Sequence, residues 1–329
     1  MAPNRSTAEP PELSVVVPAF NEAEGLPAFL DQLFQVLTGC CSEYEVWVVD
    51  DGSRDATWEC LRSELLHYPQ LRGLRFTRNF GKEAGILAGL RYARGRAVIV
   101  MDADGQHPPA LLPKILEPWR QGSAQIVAAR KAKRNTDGWS ARLKAHLFNG
   151  IMKTLTGLDL AGASDFRLLD RQVVDTLLAF PEKIRFFRGM TVWTGFATTN
   201  ISLDVAPRIA GSSRWTTAQL TRLAVTAITA YSAKPLGMIF RLGLLGMVAA
   251  GLLLLQAVYS WVADIAVSGW TSLTVVVLFF GSANLLGIGV LGAYLAQIFD
   301  EIKRRPEFLV REMLGETLRV GAGHVSRSE

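Results

Sequence analysis

LSVVVPA, residues 13–19, is a β-branched run closed by a proline. Its length and residue types predict a strand buried on both faces, the kind found in parallel sheets. The same pattern returns downstream: EVWVVD at 45–50, LRGLRF at 71–76, RAVIVMD at 96–102 and QIVAAR at 125–130 also read as strands. Residues 23–38, 55–67, 82–94 and 109–121, lying between them, read as helices. Strands that alternate with helices predict an α/β domain with a mostly parallel sheet covered on both faces. Ligands of such sheets bind at the carboxyl ends of the strands. The polar clusters Asn21-Glu22, Asp50-Asp51 and Asp102-Ala103-Asp104 fall there.

The chain has 329 residues, room for one such domain and an appendage. Its hydrophobic fraction of 49% is unevenly spread, for residues 242–299 contain a single charge, Asp264. The apolar run at 242–263 would span about 32 Å as a helix, enough for a bilayer core. A second run at 271–299 is long enough to cross with tilt, so two membrane spans are expected. Lys234 and Arg241 precede the first run, Lys303, Arg304 and Arg305 follow the second, and the short connection carries only Asp264. The positive-inside rule then places the α/β domain and both termini in the cytoplasm of a multi-pass inner-membrane protein. Residues 139–157 and 216–231 carry apolar residues at helical spacing among cations; they either pack on the core or lie in the membrane interface. Residues 1–11 are polar and proline-rich and are expected to be disordered.

The net charge of +5 favours anionic partners. The cysteines, Cys40, Cys41 and Cys60, have no metal-ligand spacing and fit a reducing compartment. His67, His107, His146 and His324 form no metal pair and read as structural or surface residues. Asp102 and Asp104, one residue apart after a hydrophobic strand, can hold Mg²⁺ or Mn²⁺ through oxygen ligands, with Gln106 as a third donor. Asp50 and Asp51 can accept from an imide N–H such as that of uracil, or cap the turn that follows; with two carboxylates both roles can hold. Arg78-Asn79-Phe80-Gly81-Lys82-Glu83 puts cations at a helix start, which suits an anionic partner or a solvated basic loop. Arg130, Arg185, Arg188, Arg208 and Arg214 are further phosphate candidates, each of which can equally be a surface charge.

As an ordered set, VVVPAFNE (15–22), VVDDGSRD (48–55), RNFGKEAGILAGL (78–90), MDADGQHPP (101–109), SDFRLLD (164–170), RFFRGMTVWTGF (185–196) and RIAGSSRW (208–215), followed by two spans, resembles the family 2 glycosyltransferases of GT-A fold. The match is to the polyprenyl-phosphate glycosyltransferases, the group of bactoprenol glucosyltransferases and dolichyl-phosphate mannose synthases, over about residues 13–300. The resemblance implies a GT-A catalytic domain at 12–215, an amphipathic interface helix at 216–235, a two-helix transmembrane domain at 236–300 and a cytoplasmic tail at 301–329. It implies that Pro18, Phe20 and Glu22 line the nucleoside pocket, that Asp51, with Asp50, reads the base, and that Lys82, Ala103, Arg208 and Arg214 contact the nucleotide-sugar. Asp102, Asp104 and Gln106 would hold Mg²⁺ or Mn²⁺ on the donor diphosphate. Asp165 matches the catalytic carboxylate, and Arg130 and Lys144 would face the acceptor phosphate. Two departures stand out: Gly105 replaces the usual leucine of DADLQ, and Arg214-Trp215 replaces Lys-Tyr.

The implied reaction is inverting transfer of a hexose from a nucleotide-sugar, UDP-glucose foremost, to undecaprenyl phosphate, giving a lipid-linked sugar for cell-envelope glycosylation. Partners are then the donor, the polyprenyl phosphate and the bilayer; a homo-oligomer is compatible, and no nucleic acid is expected. The rivals are transfer of galactose, mannose or an N-acetylhexosamine, a processive polysaccharide synthase, and a non-catalytic scaffold. Gly211 in place of the glutamine of QxxRW and the small membrane part argue against the processive synthase.

Overall fold

The computed structural model describes residues 9–103, 105, 107–131, 150, 154, 163–182, 186–203, 232–262, 269–303 and 305–315. Strands β1 (Leu13–Ala19), β2 (Tyr44–Asp50), β3 (Leu71–Phe76), β4 (Ala97–Val100), β5 (Ile126–Lys131), β6 (Ala163–Asp170), β7 (Thr198–Leu203) and β8 (Val310–Leu314) form one sheet in the order β7-β5-β6-β4-β1-β2-β3-β8. Pairs β1–β2, β1–β4, β2–β3 and β5–β7 are parallel. Pairs β4–β6, β5–β6 and β3–β8 are antiparallel. The order reverses beside β1, which opens a crevice at the carboxyl ends of β1 and β4.

Successive residues of β1 face opposite sides of the sheet, and both sides are covered, so β1 is apolar on both faces except at Ser14, whose hydroxyl donates to Glu45 and accepts the Gly95 N–H. Leu13, Val15 and Val17 pack with helices α1 (Leu26–Cys40), α2 (Thr57–Glu64) and α4 (Leu112–Arg120). Val16 points to the other face, against α3 (Lys82–Tyr92), α5 (Arg171–Ala179) and α6 (Phe187–Trp193). The sheet is thus the middle of three layers, and α3 lies close upon it. A Cβ on Gly89 of α3 would stand 2.1 Å from Val16 Cγ1, so the glycine sets the helix-to-sheet distance.

Two long helices follow, α7 (Lys234–Val262) and α8 (Trp270–Ile302). Their contacts keep one register. The Tyr294 hydroxyl donates to the Ser232 carbonyl at 2.5 Å, Gly287 faces Ile239, and Gly246 faces Phe280. Each step of seven residues up one helix matches seven down the other, as in an antiparallel pair with a seven-residue repeat. Much of their apolar surface is exposed, including Leu245, Leu255, Tyr259, Leu285, Leu286 and Leu295. Among the described residues, Phe279–Ile302 (mean hydropathy 1.5) is the one stretch long and apolar enough to cross a membrane. The expected interface segments at 139–157 and 216–235 lie largely outside the described residues.

Part of the segment expected as a cytoplasmic tail, 301–329, pairs with the catalytic sheet. Val310–Leu314 is a strand on the open edge of β3. Glu312 accepts from the Trp58 indole N–H at 3.0 Å and from Arg62 at 3.2 Å. Phe308 stacks on Phe76 with ring centroids 5.1 Å apart, and Glu307 pairs with Arg91 at 3.0 Å. Pairing across 230-odd residues leaves no local sign in a five-residue strand, which is why the sequence alone reads as tail.

Candidate active site

The site follows from register. β4 and β6 run antiparallel with Val100 opposite Arg167. Carried two residues further, the same register sets Asp102, just past β4, opposite Asp165, in the first turn of the β6 pleat. Residues directly opposite in an antiparallel pair share a face, so the two carboxylates converge. Lys82, the first residue of α3, stands between them. Its Nζ lies 2.6 and 2.8 Å from the two Asp102 oxygens and 2.6 Å from Asp165 Oδ2. Arg188 of α6 closes the far side with a fork onto Asp165, Nε to Oδ1 at 2.7 Å and the second nitrogen to Oδ2 at 2.9 Å. The Asp165 side chain is 6% exposed, Asp102 23%, Arg188 38% and Lys82 41%.

These contacts set the protonation states. Burial works to raise the Asp165 pKa, but the Arg188 hydrogen bonds and the Lys82 and Arg188 charges outweigh it and hold the carboxyl well below the usual carboxylate range. Burial also opposes the Lys82 charge, yet the neighbouring Asp102 and Asp165 push its pKa upward. Asp165 is therefore a firm anion and a poor proton acceptor.

Behind this cluster lie three residues, Glu83, Arg167 and His107, that the sequence reading did not place in the site. The Glu83 carboxylate accepts the Phe187 N–H at 2.9 Å, fixing the start of α6 and with it Arg188. Burial, and then the Asp165 charge, push Glu83 up to about 7. Arg167 is buried, donates to the Ser164 carbonyl at 2.6 Å and to the Thr191 hydroxyl, and lies under the Phe187 ring; burial pushes it down to about 10. His107, expected to be structural or surface, is buried, stacks on Phe166, and its Nδ1 accepts the Asp102 N–H at 2.9 Å. It is structural in the sense that it fixes the backbone of Asp102. The one sequence signal for it was its place five residues after Asp102.

The residues expected to line a nucleoside pocket share the other half of the crevice. The loop after β1 is locked onto the loop after β2. Asn21 N–H donates to Ser53 Oγ at 2.9 Å, Glu22 N–H to Thr57 Oγ1 at 3.0 Å, and Arg54 N–H to Asn21 Oδ1 at 2.9 Å. Asn21 takes the left-handed backbone (φ 56°) that this exchange requires. Phe20 is exposed at the rim, and Pro18 is half-buried in β1 facing Gly85. The two aspartates divide as strand geometry dictates. Asp50 is fully buried, accepts Ser53 N–H at 2.8 Å and lies 3.3 Å from Arg75, so it holds the turn. Asp51 accepts from Phe80 N–H at 2.6 Å and Gly81 N–H at 2.9 Å, tying the basic loop to the crevice. Gly52 (φ 69°) lets that loop pass, since a Cβ there would lie 2.5 Å from the Arg78 carbonyl carbon.

Of the remaining candidates, Arg130 is half-buried at the end of β5, near enough for its charge to act on Arg167. Ala103 is buried beside Asp102. Asp104, Gln106, Lys144, Arg185, Arg208 and Arg214 lie outside the described residues. Among the described residues, no group of three or more His, Cys, Asp or Glu side chains forms a metal site. The donor chemistry nonetheless fits a hard cation: three carboxylate oxygens of Asp102 and Asp165 already close on one positive centre.

The sequence pattern of glycosyl transferase family 2 matches residues 14–178. The chain is 35% identical over 309 residues to the uncharacterized glycosyltransferase sll0501 of Synechocystis sp., covering 92% of this chain and 96% of that one. It is 34% identical over 306 residues to the uncharacterized glycosyltransferase YkcC of Bacillus subtilis, covering 92% and 94%. It is 35% identical over 306 residues to the bactoprenol glucosyl transferase of Shigella phage SfII, covering 92% and 98%.

Proposed function

This chain belongs to glycosyl transferase family 2, with the GT-A fold, and from that premise we propose that it transfers glucose from UDP-glucose to undecaprenyl phosphate with inversion at the anomeric carbon. The observation that carries the reading is the Asp102–Lys82–Asp165–Arg188 cluster at the strand ends. It offers two cations to phosphate groups and a carboxylate held ionised beside them. A phosphate monoester has a second pKa near 6 and is already largely a dianion. It needs no base to attack, so an Asp165 held ionised by its neighbours suits this acceptor better than a sugar hydroxyl. Asp165 orients Arg188 toward the acceptor phosphate and lowers the energy of the positive charge that develops on the sugar ring. Arg130 is placed to assist at the same phosphate. One direct displacement inverts the donor's α-linkage to a β-linked lipid phosphate sugar.

A divalent cation, when bound, supplies charge to the leaving diphosphate; Asp102 with Asp104 and Gln106 would hold it. Pro18, Phe20, Glu22 and Asp51 line the nucleoside side, and Arg208 and Arg214 add cations to the diphosphate. The acceptor class is supported by the relatives named bactoprenol glucosyl transferases.

The fold supports a two-span membrane anchor. β8 lies in the same sheet as β1 to β3, so the chain leaves the catalytic domain after β7 and returns to it. A chain that crosses a bilayer along α8 and returns must cross an even number of times. Helix α7, 29 residues long with no charge beyond Arg241, is the second crossing. Lys234 and Arg241 at its start and Lys303 and Arg305 after α8 then share one side, the cytoplasm.

A donor panel with undecaprenyl phosphate in detergent, read by mass spectrometry of the lipid product, tests the assignment. Glucosyl phospholipid from UDP-glucose is the expected result. A polymer, or transfer only from another sugar nucleotide, would overturn it.

A further inference from the structure

Lys82 sits on Asp102, one of the residues to which the proposed function assigns the divalent cation. Its ammonium is held by both oxygens of Asp102 and by Asp165 Oδ2, all within 2.8 Å. The four side chains of the cluster, two carboxylates and two cations, sum to zero charge. A divalent ion added to that arrangement would face an ammonium already seated on the same oxygens, and the site would become strongly positive. If the ion enters together with a donor diphosphate, the added charges cancel, and the ammonium has a new anion to pair with. The side chain has room for that move, being 41% exposed at the first position of α3, while Asp51 holds the Gly81 N–H and keeps the backbone in place.

We infer that Lys82 is a tethered counter-cation that occupies the Asp102 carboxylate, the described member of the metal set proposed above, opposes a divalent ion there until a diphosphate arrives, and then shifts to the diphosphate. It acts as a positioning residue that couples metal entry to donor binding. This rests on the metal-dependent reading above. It gives the lysine a role distinct from a fixed phosphate contact, because the same side chain opposes metal alone and favours metal with nucleotide.

The experiment measures Mn²⁺ binding by electron paramagnetic resonance, and UDP binding by titration calorimetry, on the full chain in detergent. Wild type, Lys82→Gln and Lys82→Arg are compared. In Lys82→Gln, Mn²⁺ without nucleotide should bind at least about tenfold tighter than in wild type, while UDP with Mn²⁺ binds about tenfold weaker, each the scale of one charge-assisted contact. Lys82→Arg should stay weak for Mn²⁺ alone. A purely structural role would weaken both ligands together, and that result overturns the inference. Equal Mn²⁺ affinity in wild type and Lys82→Gln, with binding abolished in Asp102→Asn, also overturns it while leaving the metal site intact. No Mn²⁺ binding by any of these proteins, with or without UDP, removes the metal reading and the inference together. The wild-type chain gives a second readout should the glutamine variant fail to fold. Mn²⁺ at saturating concentration should raise labelling of the Lys82 amine by an acylating reagent, and adding UDP should suppress it. Labelling unchanged by both would overturn the proposal.

Discussion

Asp165→Asn removes one negative charge from the centre of the cluster while keeping its volume. The carboxylate receives three short charge-assisted hydrogen bonds, two from Arg188 and one from Lys82. An asparagine retains one acceptor oxygen and turns its NH₂ toward an Arg188 N–H in either orientation, so at least one of the three contacts becomes a donor-to-donor clash and the others lose their charge. Breaking a fully buried ion pair costs about 3–5 kcal/mol. Here the two cations are about two-fifths exposed and regain part of their hydration, so we expect about 2–4 kcal/mol. For a domain of this size that lowers Tm by roughly 5–15 °C, readable by tryptophan fluorescence in detergent. The pH dependence carries the diagnosis. A carboxyl whose folded pKa is depressed contributes stability that is fully present above its unfolded value near 4, and that is lost as pH falls below it. The gap between wild type and variant should therefore be widest at neutral pH and shrink toward pH 3. Turnover should fall about 10²–10³-fold, the scale of one lost electrostatic contact in a transition state, with UDP affinity nearly unchanged. A gap that is constant from pH 7 to pH 3, or turnover within twofold of wild type, would refute the electrostatic account of Asp165.

Other residues make sharper claims about the fold. Glu83 has a folded pKa raised from 4.5 to about 7, so stability should decline as pH rises through that window and level off above it, by at most about 3 kcal/mol. Glu83→Gln keeps the acceptor for Phe187 N–H and should flatten the slope; a wild-type-like slope in the variant sinks the assignment. Glu312→Ala strips the partner from the buried Trp58 indole and from Arg62, costing about 1–3 kcal/mol. Limited proteolysis should then cut between α8 and β8, and equal protease resistance would show that β8 is held otherwise. Gly89→Ala drives a methyl group into Val16 and should destabilise by about 1–3 kcal/mol, measured as a lower Tm; an unchanged Tm would mean that α3 moves freely off the sheet.

The parts of this structure that the sequence discloses are those where a physical requirement acts over a few residues. Strand β1 must be apolar on both faces because helices cover both, and LSVVVPA shows it. The crevice residues sit at strand ends because only there can polar groups face a ligand, so Asp51, Asp102 and the Arg78–Lys82 loop were found together. Neighbouring aspartates that look alike in sequence separate in space because successive strand residues face opposite ways. Asp50 turns into the fold, and Asp51 turns to the basic loop.

What stayed hidden depends on register between distant strands. Asp165 meets Asp102 only because β4 and β6 pair antiparallel with a particular offset, and nothing within either segment encodes that offset. Arg188 reaches the same carboxylate from a third element, α6, whose placement depends on Glu83 in a fourth. Each of these residues, read alone, is an ordinary charge on an ordinary helix or strand. The cluster also conceals itself in composition: its carboxylates and cations cancel, so it adds nothing to the net charge of +5. A pocket with a strong net positive field would bind phosphate anions in general and release a nucleoside diphosphate slowly. A pocket of paired opposite charges instead binds strongly only when an incoming set of charges can replace the internal pairs. Under the proposed coupling, selectivity for a metal–diphosphate over either component would arise from the exchange of partners, a property of the distances among Lys82, Asp102, Asp165 and Arg188 together and not of any one of them.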